Sequence, residues 1–175
     1  MRPVGRSDAT SGSYDRRGSE VDDLRTIGFS VLDRLDEMFL YDMNLGVTIR
    51  HWNYRTDPPR VVPAGDLALR SLTIVERSHV LVAIFGRELP SITQQEIIRA
   101  FERRRDGETL PIIVFLDPTK KTVEHDRFFS RIKADFGEEI SYTPYQTPLD
   151  FQSLLFKAVI PIMLKLVGFR PPRLR

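Results

Sequence analysis

Glu96 stands where a single carboxylate can do chemistry. It closes the segment Ser91-Ile92-Thr93-Gln94-Gln95-Glu96, which follows the apolar run Val80-Leu81-Val82-Ala83-Ile84-Phe85 and the loop Gly86-Arg87-Glu88-Leu89-Pro90. A second apolar run, Leu110 to Leu116, comes after it. The pattern predicts a strand, a helix and a parallel strand, with Glu96 in the first turn of the helix. In open α/β sheets ligands collect outside the carboxyl ends of strands, which is where the loop and Glu96 are expected. A carboxylate there can stabilise a developing positive charge and accept hydrogen bonds from hydroxyls. An ordinary role competes: Thr93 stands three residues before Glu96, the spacing of a capping box, and an early acidic residue suits the helix dipole.

Other chemistries lack their residues. The chain contains no Cys, so disulfides, thiolate zinc sites and cysteine nucleophiles are excluded, and a reducing compartment is allowed. The cytoplasm is the expected location. His51, His79 and His125 are far apart, without carboxylates at ligand spacing, so no metal site is expected. The glycines form neither GxGxxG nor a P-loop pattern. Arg103-Arg104-Arg105 lies between Glu102 and Asp106 and reads as a solvated helix end. With 26 Lys plus Arg against 24 Asp plus Glu, the net charge is only +2, and nucleic-acid binding is not expected.

The elements that must position Glu96 follow from periodicity. At 175 residues, 41% hydrophobic and 29% charged, the chain suits one globular domain, with no run near the roughly 20 apolar residues of a membrane span. Residues 1–19 hold almost no apolar side chains and read as a flexible arm; 20–168 form the domain, and 169–175 a basic tail. Val21, Leu24, Gly28, Val31, Leu35 and Met38 recur at helical steps, with Ser19 as the expected N-cap. Leu45 to Trp52 reads as a strand, and Asn53 to Pro63 as a proline-rich loop. Asp66 to Arg77 reads as a helix, as does Val123 to Phe136, which buries Phe128, Phe129, Ile132 and Phe136 on one side. A short edge strand is expected at Glu139 to Tyr142, then a last helix from Leu149 to Val167, kinked or restarted at Pro161 and capped by Gly168. Helices alternating with apolar strands imply a mostly parallel sheet covered on both faces. The first ordered element reads as a helix, so the opening strand of such a fold is weak or missing.

The segment Ile74 to Gly86, followed by Ser91 to Ala100, resembles TIR-like domains, relatives of the Toll/interleukin-1 receptor domain that are often fused to NTPases in prokaryotic defence and signalling proteins. Leu110 to Asp117 and Phe128-Phe129-Ser130-Arg131-Ile132 fit the same order of elements, so the likeness spans roughly residues 20 to 167. It implies a flavodoxin-like α/β fold, self-association or docking on a sensor or NTPase protein and, in the enzymatic members, cleavage of the nicotinamide glycosidic bond of NAD as substrate, with no cofactor. Glu96 matches the catalytic glutamate of those members, and Asn53 to Pro63 the segment that gates the nucleotide pocket or mediates self-association. His79 stands where an aspartate is expected, and Ile92 where an aromatic is common.

The chemistry stands on its own terms. Nicotinamide is bonded through a cationic pyridinium nitrogen and departs neutral without protonation, so one carboxylate can stabilise the oxocarbenium-like ribose left behind. Arg87 and the backbone amides near Ser91 and Thr93 are candidates to hold the pyrophosphate, because helix N-termini favour anions. Trp52 could stack on a nucleobase. Each also has an ordinary role: Arg87 as a solvated loop residue, Ser91 as a turn residue, Trp52 as a core anchor. Two further readings stay open, a non-catalytic TIR-like interaction module and a nucleoside deoxyribosyltransferase-like enzyme.

Overall fold

Alternation along two short strands sets the architecture. The structure, a computed structural model, describes residues 17–43, 48–50 and 64–168. In β1 (Leu81–Phe85), Ala83 and Phe85 join one apolar cluster while Val82 and Ile84 pack against another. In β2 (Ile112–Leu116), Val114 and Leu116 join the first cluster, and Ile113 and Phe115 the second. Both faces of the sheet are therefore covered, which is why these strands read as unbroken apolar runs and not as alternating ones.

The strands pair in parallel in the order β1-β2-β3, with β3 spanning Tyr142–Pro144. Leu81 lies opposite Ile112, Phe85 opposite Leu116, and Val114 opposite Tyr142. α3 (Ser91–Arg105) and α4 (Val123–Phe136) cover one face through Ile97, Phe101, Phe128 and Ile132. α1 (Arg17–Glu37) and α5 (Pro148–Leu166) cover the other through Leu24, Val31, Leu35, Phe151, Leu155 and Val159. A π-turn, Met38–Asp42, continues α1 and buries Phe39. α2 (Ala64–Arg77) packs on α3, with Val75, Ala100 and Leu110 in a third small cluster. Each fully buried Leu or Phe contributes roughly 1.5–3 kcal/mol, so the two large clusters carry the stability. The result is a flavodoxin-like three-layer α/β/α domain; residues 1–16, where an opening strand would stand, lie outside the described residues.

Several boundaries differ from expectation, each for a local reason. Arg17–Glu37 is helical, so Ser19 lies inside the first helix and is not its N-cap. Thr48–Arg50 has no regular structure: the Ile49 N–H donates to the Asp36 carboxylate at the end of α1 and not to a neighbouring strand. The rest of the strand expected over Leu45 to Trp52, and the Asn53 to Pro63 loop, lie outside the described residues. The edge strand forms at Tyr142–Pro144 and not at Glu139 to Tyr142; Glu138 and Glu139 lie before it and pair with Arg104 and Lys133 at the ends of the preceding helices. α4 has its expected limits, held by a Thr122–His125 capping box and by Gly137 at φ 71°. α5 runs through Pro161 without restarting. Pro161 and Lys157 are both exposed, so water can satisfy the Lys157 carbonyl that a residue other than proline would have bonded.

Candidate functional site

Glu96 is not a capping residue. α3 starts at Ser91, with Pro90 before it, so Thr93 is the third helical residue and Glu96 lies in the second turn. The first turn holds no acidic residue, which corrects the expected position and removes the Thr93–Glu96 capping box. The carboxylate is held instead from another helix, by the Ser71 hydroxyl of α2, which donates to Glu96 Oε1. Ser71 is only 3% exposed and shares the buried face of α2 with Val75.

Burial pushes Glu96 above the ordinary carboxylate range; the Ser71 hydrogen bond and then the positive charge of Arg25 pull it part of the way back. Arg25 comes from α1 and also contacts Asp22, at 3.4 Å. α1 packs on one face of the sheet and α3 on the other. Val21 at the start of α1 reaches the carboxyl end of β1, its Cγ2 lying 2.7 Å from where a Cβ on Gly86 would stand. Glu96 lies about 7.5 Å down the axis from the start of α3 at 1.5 Å per residue.

The other expected residues are placed less closely. Arg87 and Ser91 are exposed at the mouth of α3, and Thr93 is half-buried one turn before Glu96. Ser91 and Glu96, five residues apart, project about 140° from each other around the helix. Trp52 lies outside the described residues. Pro90 offers no side-chain acceptor to the first N–H groups of α3, which leaves that end suited to an anion.

Sequence reasoning missed Ser71 and Arg25. A signal for Ser71 was present: a polar residue at a core position of the stripe Ala68, Ser71, Val75. No comparable signal marks Arg25, whose role depends on how α1 lies against α3. Arg104 and Arg105 are exposed, as expected of a solvated helix end, while Arg103 is largely covered. In the fold Arg103 clamps α2, Arg104 pairs with Glu138 at 2.7 Å and stacks on Phe101, and Arg105 lies over Phe136.

A second polar side chain is buried at the carboxyl end of the sheet. His125 is 0% exposed; its Nδ1 accepts from the Thr122 N–H at 3.1 Å, and its ring packs on Phe85 and Phe129. Burial pushes it below the ordinary histidine range, opposed first by the Gly86 backbone and then by Glu124 and Asp126, while Lys121 adds to the depression. Nε2 still has no partner in full hydrogen-bond geometry. At the end of β2, burial works to raise Asp117, yet the Thr119 hydroxyl and N–H, together with Lys120, hold it below its usual value. That carboxylate is committed to its turn. Among the described residues no group of three or more His, Asp or Glu could hold a metal ion, and no helix is long and apolar enough to cross a membrane.

Comparison with protein-family models, with curated proteins and with solved structures finds no match in any of the three.

Proposed function

We propose that this chain is a TIR-like domain that cleaves the nicotinamide glycosidic bond of NAD, with Glu96 as the catalytic carboxylate. One observation carries the reading: Glu96 is half-buried in the second turn of α3, serves no cap, and is held by a neutral hydroxyl from α2. With Oε1 engaged by Ser71, Oε2 is the oxygen that meets the ribose. The C1′–N bond breaks with its electron pair passing to the pyridine nitrogen, and the carboxylate stabilises the cationic ribose. Water then adds to C1′ and gives up a proton, for which a carboxylate of raised pKa is a suitable acceptor. The first-turn N–H groups of α3, with Arg87, Ser91 and Thr93, face the pyrophosphate, and Trp52 is assigned to the base. The order of helices and strands from α1 to α5 supports the same reading. A cytoplasmic location and assembly with further copies or a sensor protein belong to it.

The test is nicotinamide release from NAD by the purified chain, alone and at high protein concentration. Release by the wild type that is abolished in both Glu96→Gln and Glu96→Ala supports the mechanism. Release that persists in these variants removes Glu96 from it.

A second reading is a TIR-like module that only docks. It is favoured by α5, which is apolar on most sides and leaves Leu149 74% and Leu166 46% exposed at its two ends. Concentration-dependent association in sedimentation, with no nicotinamide released by any assembled form, would select it.

A further inference from the structure

We infer that Ser71 is a positioning residue for Glu96, a latch through which α2 sets the orientation and ionisation of the carboxylate. Its value to catalysis rests on the function proposed above; the latch itself does not. Ser71 and His125 are the two polar side chains buried in the core among the described residues, and His125 is explained by its cap. The described bond of Ser71 is not of that local kind. Its hydroxyl crosses from α2 to α3 and donates to Glu96 Oε1, a bond between residues 25 apart in the chain.

The surroundings make this bond decisive for the carboxylate. Among the described residues the charge that acts on Glu96 is that of Arg25 on α1, which also pairs with Asp22 at 3.4 Å, while α2 contributes the neutral Ser71. One turn or more further along α2, Glu76 is taken by Arg99 at 2.5 Å, and Arg103 holds the carbonyls of Val75 and Ser78. These ties bind the second half of α2 firmly to α3. Ser71 is the tie nearest the start of α2 among those described, so a tilt of α2 that draws Ser71 away from α3 breaks this bond. The carboxylate then loses the donor that fixes its rotamer and favours its charged form. The device couples the position of α2 to the state of the site without any change in α3.

Carbon-detected NMR titration of the Glu96 carboxyl, assigned by its loss in Glu96→Gln, tests the latch in the full chain without any substrate. In Ser71→Ala the Glu96 titration is expected to move to higher pH than in the wild type, and Ser71→Thr, which keeps the hydroxyl, is expected to restore it. Thermal melts establish that each variant is folded. In nicotinamide release, Ser71→Ala is expected to lower kcat roughly tenfold or more, the effect of losing a hydrogen bond to a charged group, to move the acid limb of the pH profile upward, and to leave KM little changed. An identical Glu96 titration in the wild type and Ser71→Ala overturns the latch. A shifted titration in a protein that never releases nicotinamide upholds the latch and overturns the proposed function instead.

Discussion

The Arg103 guanidinium of α3 donates to the Val75 carbonyl at 2.5 Å and to the Ser78 carbonyl at 2.9 Å, so a side chain from one helix caps the end of another. The same guanidinium pairs with Glu108, beyond the end of α3, and is only 14% exposed. Orphan carbonyls at a helix end need partners, and here a planar fork supplies several donors at once. Arg103→Ala is expected to cost about 1–3 kcal/mol, the range for losing hydrogen bonds made by a charged group. Arg103→Lys should recover little of this, because an ammonium cannot span the same acceptors. Urea unfolding of the three proteins checks this; equal midpoints would show that water replaces the clamp.

Gly86 lets α1 approach the end of β1. A Cβ there would stand 2.7 Å from Val21 Cγ2, closer than van der Waals contact allows, and the β-branched Val21 has few rotamers with which to yield. Gly86→Ala is expected to destabilise by about 1–3 kcal/mol, as overpacking does. In a Val21→Ala background the same substitution should cost less. A double-mutant cycle by denaturant unfolding reads the coupling; strict additivity would mean that the crowding lies elsewhere.

The raised Glu96 pKa makes the ionised carboxylate a burden on the fold. Its folded-state value lies above the unfolded value of 4.5, so the folded chain binds more protons in the interval between them. The group's contribution to stability is therefore fully present below pH 4.5 and is lost as the pH rises through the folded-state value. Glu96→Gln keeps an acceptor for Ser71 and removes the charge, so its melting temperature should exceed that of the wild type at neutral pH. The gap should close on acidification. A lower melting temperature for Glu96→Gln at neutral pH would mean that attraction to Arg25 outweighs burial.

His125 titrates with the opposite consequence. Burial depresses its pKa, so the unfolded chain, with a histidine value of about 6.5, binds more protons. Stability from this group is fully present above pH about 6.5 and is lost as the pH falls through the folded-state value. Protonation at Nδ1 also removes the acceptor for the Thr122 N–H at the start of α4. His125→Gln places a neutral capping-box partner at the same position. Its unfolding free energy should fall less steeply than that of the wild type between about pH 7 and 5. Parallel slopes would assign the acid sensitivity to other groups.

Much of the fold was legible because it is written in local periodicity. The stripe from Val21 to Met38 produced a helix, and Phe128 and Ile132 lie on the buried face of α4 with Phe129 and Phe136 partly covered beside them. The apolar runs around Val82 and Val114 formed parallel strands, since only strands covered on both faces are apolar throughout. Boundaries were less legible because distant partners move them. Glu138 and Glu139 pair with helix ends before β3 starts, and Asp36 takes the Ile49 N–H.

For the site, residue types and spacing alone selected Glu96 and put it early in a helix at the carboxyl end of a parallel strand. That much is local, since a strand, a turn and an amphipathic helix follow from the order of side chains along the chain. Tertiary structure decided what the carboxylate experiences. Starting α3 at Ser91 moved Glu96 out of the capping position, packing α2 on α3 brought Ser71 to its oxygen, and the course of α1 brought the charge of Arg25 near it. Ser71 is 25 positions from Glu96 and Arg25 lies on a helix that covers the opposite face of the sheet, so no sequence window contains both. Ionisation and orientation depend on burial and on such distant partners, and those exist only once the layers have closed.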